Sequence, residues 1–260
     1  MSKKFYTSGR LKRPYSKNPQ KKESLFILFN LIILVSTIVV AAIDIKYGTS
    51  GGQDGASVSG WDFLRPFTID SNILMAIAAA IALIKTLRHS IVTARKNNAS
   101  FMRPFGTKFT NFYFLSVVSI DLTFVVVTLF LAPLRLMHGQ NGASMFMGDM
   151  FFFHLINPIA ATCALFLFNG VAVDKLSGLL CYLPMAIYST VYGVHVLFIG
   201  DWEDFYNFTF GGDPLLSTMS VFANIFTIYC IVKILARLYD GRIIDTTNYQ
   251  YRQFKYKQLR

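Results

Sequence analysis

Six long apolar stretches, separated by polar segments, dominate the pattern of hydrophobic and polar positions along the chain. A helix needs about 20 apolar residues to cross a hydrocarbon core about 30 Å thick, and each stretch comes close to that length. The pattern therefore predicts an all-α, polytopic membrane protein built as a bundle of six transmembrane helices. The predicted spans are Leu25–Tyr47, Phe67–Leu87, Phe109–Ala132, Met150–Phe168, Leu179–Ile199 and Leu215–Leu238.

The composition and the short connecting segments fit a single membrane domain. The 260-residue chain is 53% hydrophobic and 15% aromatic, and its mean hydropathy is +0.45, which is too apolar for an ordinary soluble domain. We therefore expect one transmembrane domain over residues 24–239. A basic tail at 1–23, expected to be disordered, precedes it, and a second basic tail at 240–260 follows it. The first apolar run is longer than the core of a signal peptide, which favours an uncleaved first helix.

The positive charge of the chain lies on one side of the predicted membrane. The formal net charge is +11, and all basic residues except Lys46, Arg65 and Arg135 fall in the tails or in the loops on the same side as the tails. The positive-inside rule then predicts cytoplasmic N and C termini, in a multi-pass protein of the cell membrane. The basic tails are expected to lie near anionic lipid headgroups. No folded basic face is evident, so we expect membrane lipids rather than nucleic acid as partners.

A polar cluster opens the second predicted span. It consists of Thr68, Asp70, Ser71 and Asn72. Polar side chains at membrane depth cost free energy unless they face protein or water, so the cluster is a candidate functional site. Helical spacing puts Thr68, Ser71 and Asn72 on one face. Asp70 points elsewhere, towards Arg65 or towards water.

Two histidines reach the same depth as Thr68. The second and fourth spans run in one direction and the fifth in the opposite one. Thr68, His154 and His195 can therefore share a layer near the outer membrane surface. In the fourth span, helical spacing places His154, Asn157 and Pro158 on one face. Depth alone does not choose between His154 and His195 as the partner of Thr68.

A hydroxyl beside an imidazole is the minimum arrangement for nucleophilic catalysis, because the imidazole takes the proton while the hydroxyl attacks an acyl carbon. Asn72 or Asn157 could donate to the resulting oxyanion, and Asn72 could instead orient Thr68. The alternatives are structural, since a membrane-helix threonine commonly bonds its own backbone and His154 could bridge two helices. His195 could be a residue of the rim.

Asp121 supports a second hypothesis. A carboxylate in the middle of the third span must be protonated, paired or hydrated, so it could bind an ion, relay protons or orient a histidine. The alternative function is therefore a transporter or ligand-binding membrane protein, in which Asp121, Asp70 and His195 handle an ion, proton or small solute. Two further features concern the pocket rather than Asp121. Tyr192 in the fifth span is a candidate for the pocket wall. The last outer loop, 200–212, is acidic and aromatic and could form a lid.

The cysteines fit a packing role. Cys163, Cys181 and Cys230 all lie in apolar spans without the spacing of metal ligands. We expect them to be small packing residues rather than ligands or disulfide partners. No cofactor and no metal site is expected.

The polar residues of the second and fourth spans follow an order that resembles a known family. Phe67-Thr68 begins an apolar helix, and another helix opens with a His that is followed one turn later by a Pro, at His154 and Pro158. This pattern resembles the androgen-inducible intramembrane threonine hydrolases, and it is similar to bacterial six-span membrane proteins of unassigned function. The aromatic stretch 205–208 also looks like the Tyr-Pro-Phe segment before that family's last helix.

The resemblance implies a lipid-ester hydrolase. The family cleaves fatty acid esters of hydroxy fatty acids with a Thr and a His at membrane depth, which would make Thr68 the nucleophile and His154 the base. The implied substrate is a lipid-like small molecule. The chain departs from the family at Asp121, where an uncharged residue is expected, in its long basic N-terminal tail, and in the compact Asn157-Pro158 step.

Overall fold

The computed structural model describes residues 19–47, 60–95, 105–168, 170–173, 175–204, 206, 208–209 and 212–258, and it contains helices and turns but no strand in these ranges. Short 3-10 turns, Gly60–Leu64 and Gly142–Phe146, precede the second and fourth helices. The long helices are α1 (Pro19–Tyr47), α2 (Phe67–Arg95), α3 (Thr107–Met137), α4 (Phe152–Leu167), α5 (Lys175–Ile199) and α6 (Pro214–Gln258).

The all-helical, multi-pass membrane architecture is confirmed at the level of five helices. Within the described ranges, α1, α2, α3, α5 and α6 are each long and apolar enough to cross a membrane. The fourth predicted span, Met150–Phe168, contains the shorter apolar helix α4, which falls below that length. The count of six spans and the cytoplasmic position of the termini therefore stay predictions.

The helices α1, α2, α3 and α4 pack against one another to form the core, and α5 and α6 lie at its edge. In the most apolar window of both α2 and α3, 61% of the residues are buried, against 11% in α5 and 17% in α6. Helices in lipid associate through close van der Waals contact, which small side chains permit. The α2 and α4 helices supply such a surface with the buried residues Ala76, Ala78, Ala79, Ala82, Ala160, Ala161 and Ala164.

A π turn forms the start of α4, and Pro158 explains why the turn lies at this point of the helix. Pro158 has no N–H to donate to the carbonyl of the preceding turn. The π turn Phe152–Ile156 lies directly before it, and the N–H of Asn157 donates to the carbonyl of Phe152, five residues back. The widened turn still brings Phe153, His154 and Asn157 to the buried side of the helix.

The two predicted tails differ in what the structure describes. Residues 1–18 of the predicted tail 1–23 lie outside the described residues, and α1 already begins at Pro19. At the other end, the helix α6 continues through most of the predicted tail 240–260, to Gln258. The three cysteines are free thiols, of which Cys181 is buried.

Candidate functional site

Thr68 and His154 meet at the ends of α2 and α4. Thr68 lies in the first turn of α2, and His154 lies in the π turn that begins α4. Thr68 Oγ1 is 3.3 Å from His154 Nε2, and both residues are buried, with exposed fractions of 7% and 3%. The two side chains therefore face each other across the α2–α4 contact.

A main-chain carbonyl fixes the ring of His154. His154 Nδ1 is hydrogen-bonded to the oxygen of Met145, in the turn Gly142–Phe146. A carbonyl only accepts, so Nδ1 carries the proton and donates it. The neutral ring then presents Nε2 as an acceptor towards the Thr68 hydroxyl, which is the tautomer that a general base requires.

The two asparagines join three helices and use their amide groups in doing so. Asn72 Nδ2 donates to the carbonyl of Thr68 at 2.8 Å and to that of Phe153 at 3.3 Å. Asn157 Nδ2 donates to Asn72 Oδ1 at 2.9 Å and to Thr37 Oγ1 at 3.3 Å. Each amide group has two N–H donors, and both sets are engaged. The predicted oxyanion role therefore finds no spare donor at Asn72 or Asn157, and the geometry fits the positioning of Thr68.

Further hydroxyl groups extend this polar network to the neighbouring helices. Ser36 of α1 donates to Asn157 Oδ1 at 2.6 Å. Ser71 bonds Thr123 of α3 at 2.9 Å and also donates to the carbonyl of Thr68 at 3.0 Å. The network thus links α1, α2, α3 and α4 around one nucleophile candidate. Such hydrogen bonds between helices hold a geometry that lipid alone would not.

A small, mainly apolar cleft of about 30 Å³ lies at Thr68. It lies between α2, α3, α5 and the loop before α6, and Tyr206 of that loop closes one side. Its apolar wall is formed by Phe67, Leu122, Val126, Val127, Leu131 and Met185. The side chains around the Thr68 hydroxyl are thus mostly apolar, which suits contact with an aliphatic group.

Tyr206 brings a phenol hydroxyl to the nucleophile candidate. The hydroxyl accepts a hydrogen bond from the Phe67 N–H at 2.9 Å, and Tyr206 and Thr68 line the same cleft. Burial raises the pKa of Tyr206 to about 12, although hydrogen bonding, chiefly from the Phe67 N–H, acts in the other direction. The phenol is therefore neutral at physiological pH and has a proton to donate.

Asp204 organises the loop that carries Tyr206. Its carboxylate accepts from the Tyr192 hydroxyl at 2.7 Å, from the Phe208 N–H at 2.9 Å and from the Thr209 N–H at 2.7 Å. Burial alone would raise the pKa of Asp204, but these hydrogen bonds outweigh burial and hold it below its usual value. The candidate Tyr192 thus anchors the loop to α5.

Asp70 lines a second cleft. This cleft, of about 390 Å³, lies between α2 and α5 and shares Phe67 and Tyr188 with the first. The suggested pairing of Asp70 with Arg65 is wrong for this structure, because Arg65 pairs with Asp62 at 2.9 Å.

The structure does not gather the residues of the transport hypothesis into one site. Asp121 accepts a hydrogen bond from Thr162 of α4 at 2.8 Å and lines neither of the two clefts. His195 pairs with Asp201 at 2.9 Å and stacks on Trp202 at 4.3 Å. His195 therefore belongs to the last loop, and His154 is the histidine that contacts Thr68. Among the described residues, no group of three or more His, Cys, Asp or Glu is placed to hold a metal ion.

Several contributors to the site give little signal in the sequence. Met145 acts through its main chain, which a sequence pattern cannot mark. Ser36 and Thr37 interrupt an apolar run, and that interruption is the signal by which they could be found. Tyr206 lies in the aromatic loop that was expected to form a lid, but its distance from Thr68 depends on the fold.

In comparisons with known proteins, no family model matches the chain, and no curated protein or solved structure matches it. The function is therefore inferred from the geometry of the site.

Proposed function

We propose that this protein is an intramembrane hydrolase of lipid-like esters, with Thr68 as the nucleophile and His154 as the general base. The observation that carries the proposal is the buried 3.3 Å contact between Thr68 Oγ1 and His154 Nε2. A hydroxyl beside an imidazole whose other nitrogen is held by an acceptor is the arrangement that activates a nucleophile for acyl transfer. The resemblance to the androgen-inducible intramembrane threonine hydrolases points to the same pair.

The first half of the reaction forms an acyl-enzyme. Thr68 Oγ1 attacks the carbonyl carbon of the ester while its proton moves to His154 Nε2. The electron pair of the carbonyl moves onto its oxygen, and the Tyr206 hydroxyl donates a hydrogen bond to that oxyanion. When the tetrahedral intermediate collapses, the alcohol leaves with the proton from His154, and the acyl group stays on Thr68.

The second half releases the acid. His154 Nε2 removes a proton from a water molecule, which attacks the acyl carbon of the Thr68 ester. Collapse of the second tetrahedral intermediate breaks the bond to Thr68 Oγ1, which regains the proton from His154. The Met145 carbonyl stabilises the imidazolium that forms in each half, because it accepts from Nδ1–H throughout.

The substrate class follows from the walls of the first cleft. Aliphatic and aromatic side chains line it, and Thr68 stands at its polar end. An acyl chain can therefore enter from the lipid, while water reaches the reacting carbon from the end of the bundle where α2 and α4 begin. The apolar wall favours a long acyl chain over a short one, since each buried CH₂ contributes about 0.8 kcal/mol.

We also propose six membrane crossings, with both termini cytoplasmic, in the cell membrane. The helical segment around α4 runs from Met150 to Leu167, which at about 1.5 Å per residue approaches the hydrocarbon thickness. It packs inside the bundle against α1 and α3, where a short crossing is tolerated. The basic residues on one side of the predicted spans support this orientation.

Labelling with a lipophilic alkyl fluorophosphonate tests the proposal. The reagent phosphonylates an activated hydroxyl with loss of fluoride, so the wild-type protein should be labelled and the Thr68→Ala variant should not. His154→Ala should lose most of the labelling rate. Thr86→Ala is the matched control, because Thr86 is a buried threonine at the opposite end of α2. His195→Ala is the control for the histidine.

Thermal melting of each variant separates loss of activity from loss of fold. Equal labelling of the wild-type and Thr68→Ala proteins would contradict the nucleophile assignment. No labelling at any chain length, in detergent and in lipid, would favour the alternative function, a transporter or ligand-binding protein. In that case Asp121→Asn should abolish uptake, and Thr68→Ala should leave it unchanged.

A further inference from the structure

The second cleft contains a carboxylate that the proposed reaction does not use. Asp70 is half-buried in the wall of this cleft of about 390 Å³, between α2 and α5. Among the described residues, no hydrogen bond or ion pair neutralises its carboxylate. The phenol of Tyr188 also lines the cleft, and its hydroxyl donates to the carbonyl of Arg65 at 2.8 Å. A carboxylate at membrane depth without a partner costs free energy, and a cation in the cleft would offset that cost.

The protein's own cation near the cleft is already engaged. Arg65 donates to Asp62 at 2.9 Å, and its guanidinium carbon lies 5.6 Å from the centre of the Trp202 ring. His195 is stacked on Trp202 and paired with Asp201. Neither basic side chain therefore neutralises Asp70, and the carboxylate is available to a cationic ligand.

The remaining walls suit an organic cation better than a metal ion. Phe67 and Tyr188 border the cleft, and their rings lie 5.2 Å apart. Leu74, Ile187 and Val191 complete an aliphatic wall. A metal ion needs several oxygen ligands, whereas an alkylated ammonium group is bound by aromatic rings and one carboxylate.

The second cleft adjoins the first one, and two residues lie between them. Phe67 and Tyr188 line both clefts, and Thr68 follows Phe67 directly in the chain. Asp70 follows Thr68 by two residues, so the alcohol group of an ester with its carbonyl at Thr68 has to pass Phe67 to reach Asp70.

We propose that the cleft at Asp70 binds the ammonium group of a cationic, lipid-like ester, so that this group lies on the alcohol side of the bond that is cleaved. The inference rests on the proposed hydrolase function for the position of the ester. The binding of the ammonium group itself does not depend on hydrolysis, so the two can fail separately.

A binding experiment with a matched pair of esters tests the cleft. Lauroylcholine carries a quaternary ammonium group, and the laurate ester of 3,3-dimethylbutanol has a carbon atom in place of the nitrogen. Trp202 lines the cleft, and in a Trp61→Phe background it is the remaining tryptophan and reports binding by fluorescence. The additional Thr68→Ala substitution prevents turnover, and an uncharged maltoside detergent avoids competing lipid headgroups.

The expected result is a Kd for lauroylcholine about tenfold lower than that for the neutral ester, which corresponds to about 1.4 kcal/mol. Asp70→Asn should remove this difference and leave the affinity for the neutral ester unchanged. Asp121→Asn is the matched control, because Asp121 lines neither cleft. Equal affinities of the two esters in the protein with Asp70 would overturn the proposal.

Two further arms separate the sources of the ammonium group and the two proposals. Free choline that binds as tightly as lauroylcholine would overturn the lipid-like part of the proposal. In the hydrolysis assay, Asp70→Asn should raise the KM for lauroylcholine about tenfold at an unchanged kcat. Binding without hydrolysis would support the cleft and contradict the hydrolase function. Hydrolysis with no preference between the two esters would support the hydrolase function and contradict the binding of the ammonium group at Asp70.

Discussion

His154 donates one ring N–H to the main-chain carbonyl of Met145, and this bond determines what its other nitrogen can do. With Nδ1 protonated, Nε2 is an acceptor 3.3 Å from the hydroxyl of Thr68. The base is therefore oriented by the short turn Gly142–Phe146 before α4, not by a carboxylate. A neutral acceptor suits an apolar environment, where a buried charge would be costly.

Replacement of His154 by alanine should lower ester hydrolysis by about 10²- to 10⁴-fold, because general-base catalysis contributes that much. The loss should occur in kcat, since the apolar cleft that binds the acyl chain remains. His195→Ala should retain the wild-type rate, because His195 contacts Asp201 and Trp202. Steady-state kinetics with a long-chain ester checks both, and equal losses in the two variants would contradict the assignment of His154.

Gly142 provides an indirect test of how His154 is oriented. A Cβ atom at this position would overlap the main-chain carbonyl of Ala132, which cannot rotate away. Gly142→Ala should therefore displace the turn that carries the Met145 carbonyl and lower the phosphonylation rate about tenfold or more. Gly193→Ala is the control, because a Cβ there meets no atom within 4 Å. A Gly142→Ala protein with the wild-type rate would show that the turn does not position the base.

The sequence predicts the membrane helices and the polar face of α2 better than it predicts the contacts that the side chains of the site make. Helical spacing gives the shared face of Thr68, Ser71 and Asn72, and all three are buried. The choice between His154 and His195 depends on how α4 and α5 pack against α2, which spacing does not determine.

The remaining contacts depend on local structure that leaves a weak pattern. The π turn before Pro158 changes the register of α4 by one residue, so ordinary helical spacing describes its first turn poorly. The hydrogen-bond partners of Asn72 decide that its amide is engaged, and side-chain type alone cannot show this. Tyr206 lines the cleft at Thr68 from a loop 138 residues further along the chain, and only the fold brings the two residues together.

Tyr206→Phe should lower kcat by about 10²- to 10³-fold if the phenol donates to the oxyanion, as expected for the loss of one such donor. KM should change little, because the ring that borders the cleft remains. Tyr113→Phe is a matched control, since Tyr113 is a buried tyrosine whose hydroxyl donates to Asn30, away from the clefts. Kinetics and thermal melting of both variants check the prediction. An unchanged kcat in Tyr206→Phe would contradict the role of the phenol as a donor.

Asn157→Ala should destabilise the bundle by about 1–3 kcal/mol. The substitution leaves Asn72 Oδ1 and Thr37 Oγ1 without the amide group that donates to them, and buried polar atoms without partners carry that cost. Unfolding in a denaturing detergent measures the difference. Asn224→Ala is the control, because the Asn224 amide donates to the Ser220 carbonyl of its own helix.

A double-mutant cycle distinguishes a network from two separate sites. Asn72→Ala and Asn157→Ala should be less than additive, because each removes the same interhelical hydrogen bond. Strictly additive losses would show that the 2.9 Å contact between the two side chains contributes nothing to stability.

The loop that carries Tyr206 should open in acid. Hydrogen bonds to Asp204 hold its pKa below the usual value despite burial, so the folded loop prefers the carboxylate over the carboxylic acid. The stabilisation is thus complete above the usual aspartate pKa and is lost as the pH falls through the lowered pKa. Hydrogen exchange should show protection of the Phe208 and Thr209 amides that decreases in this acidic range.

Asp204→Asn should lose this protection at neutral pH as well, since an amide accepts the two N–H groups less strongly than a carboxylate does. Asp201→Asn is the control for the neighbouring carboxylate, which pairs with His195 and accepts from neither amide. It should keep the protection. Because the same loop brings Tyr206 to Thr68, kcat should fall together with the protection. Full protection in Asp204→Asn at neutral pH would show that Asp204 does not hold the loop in place.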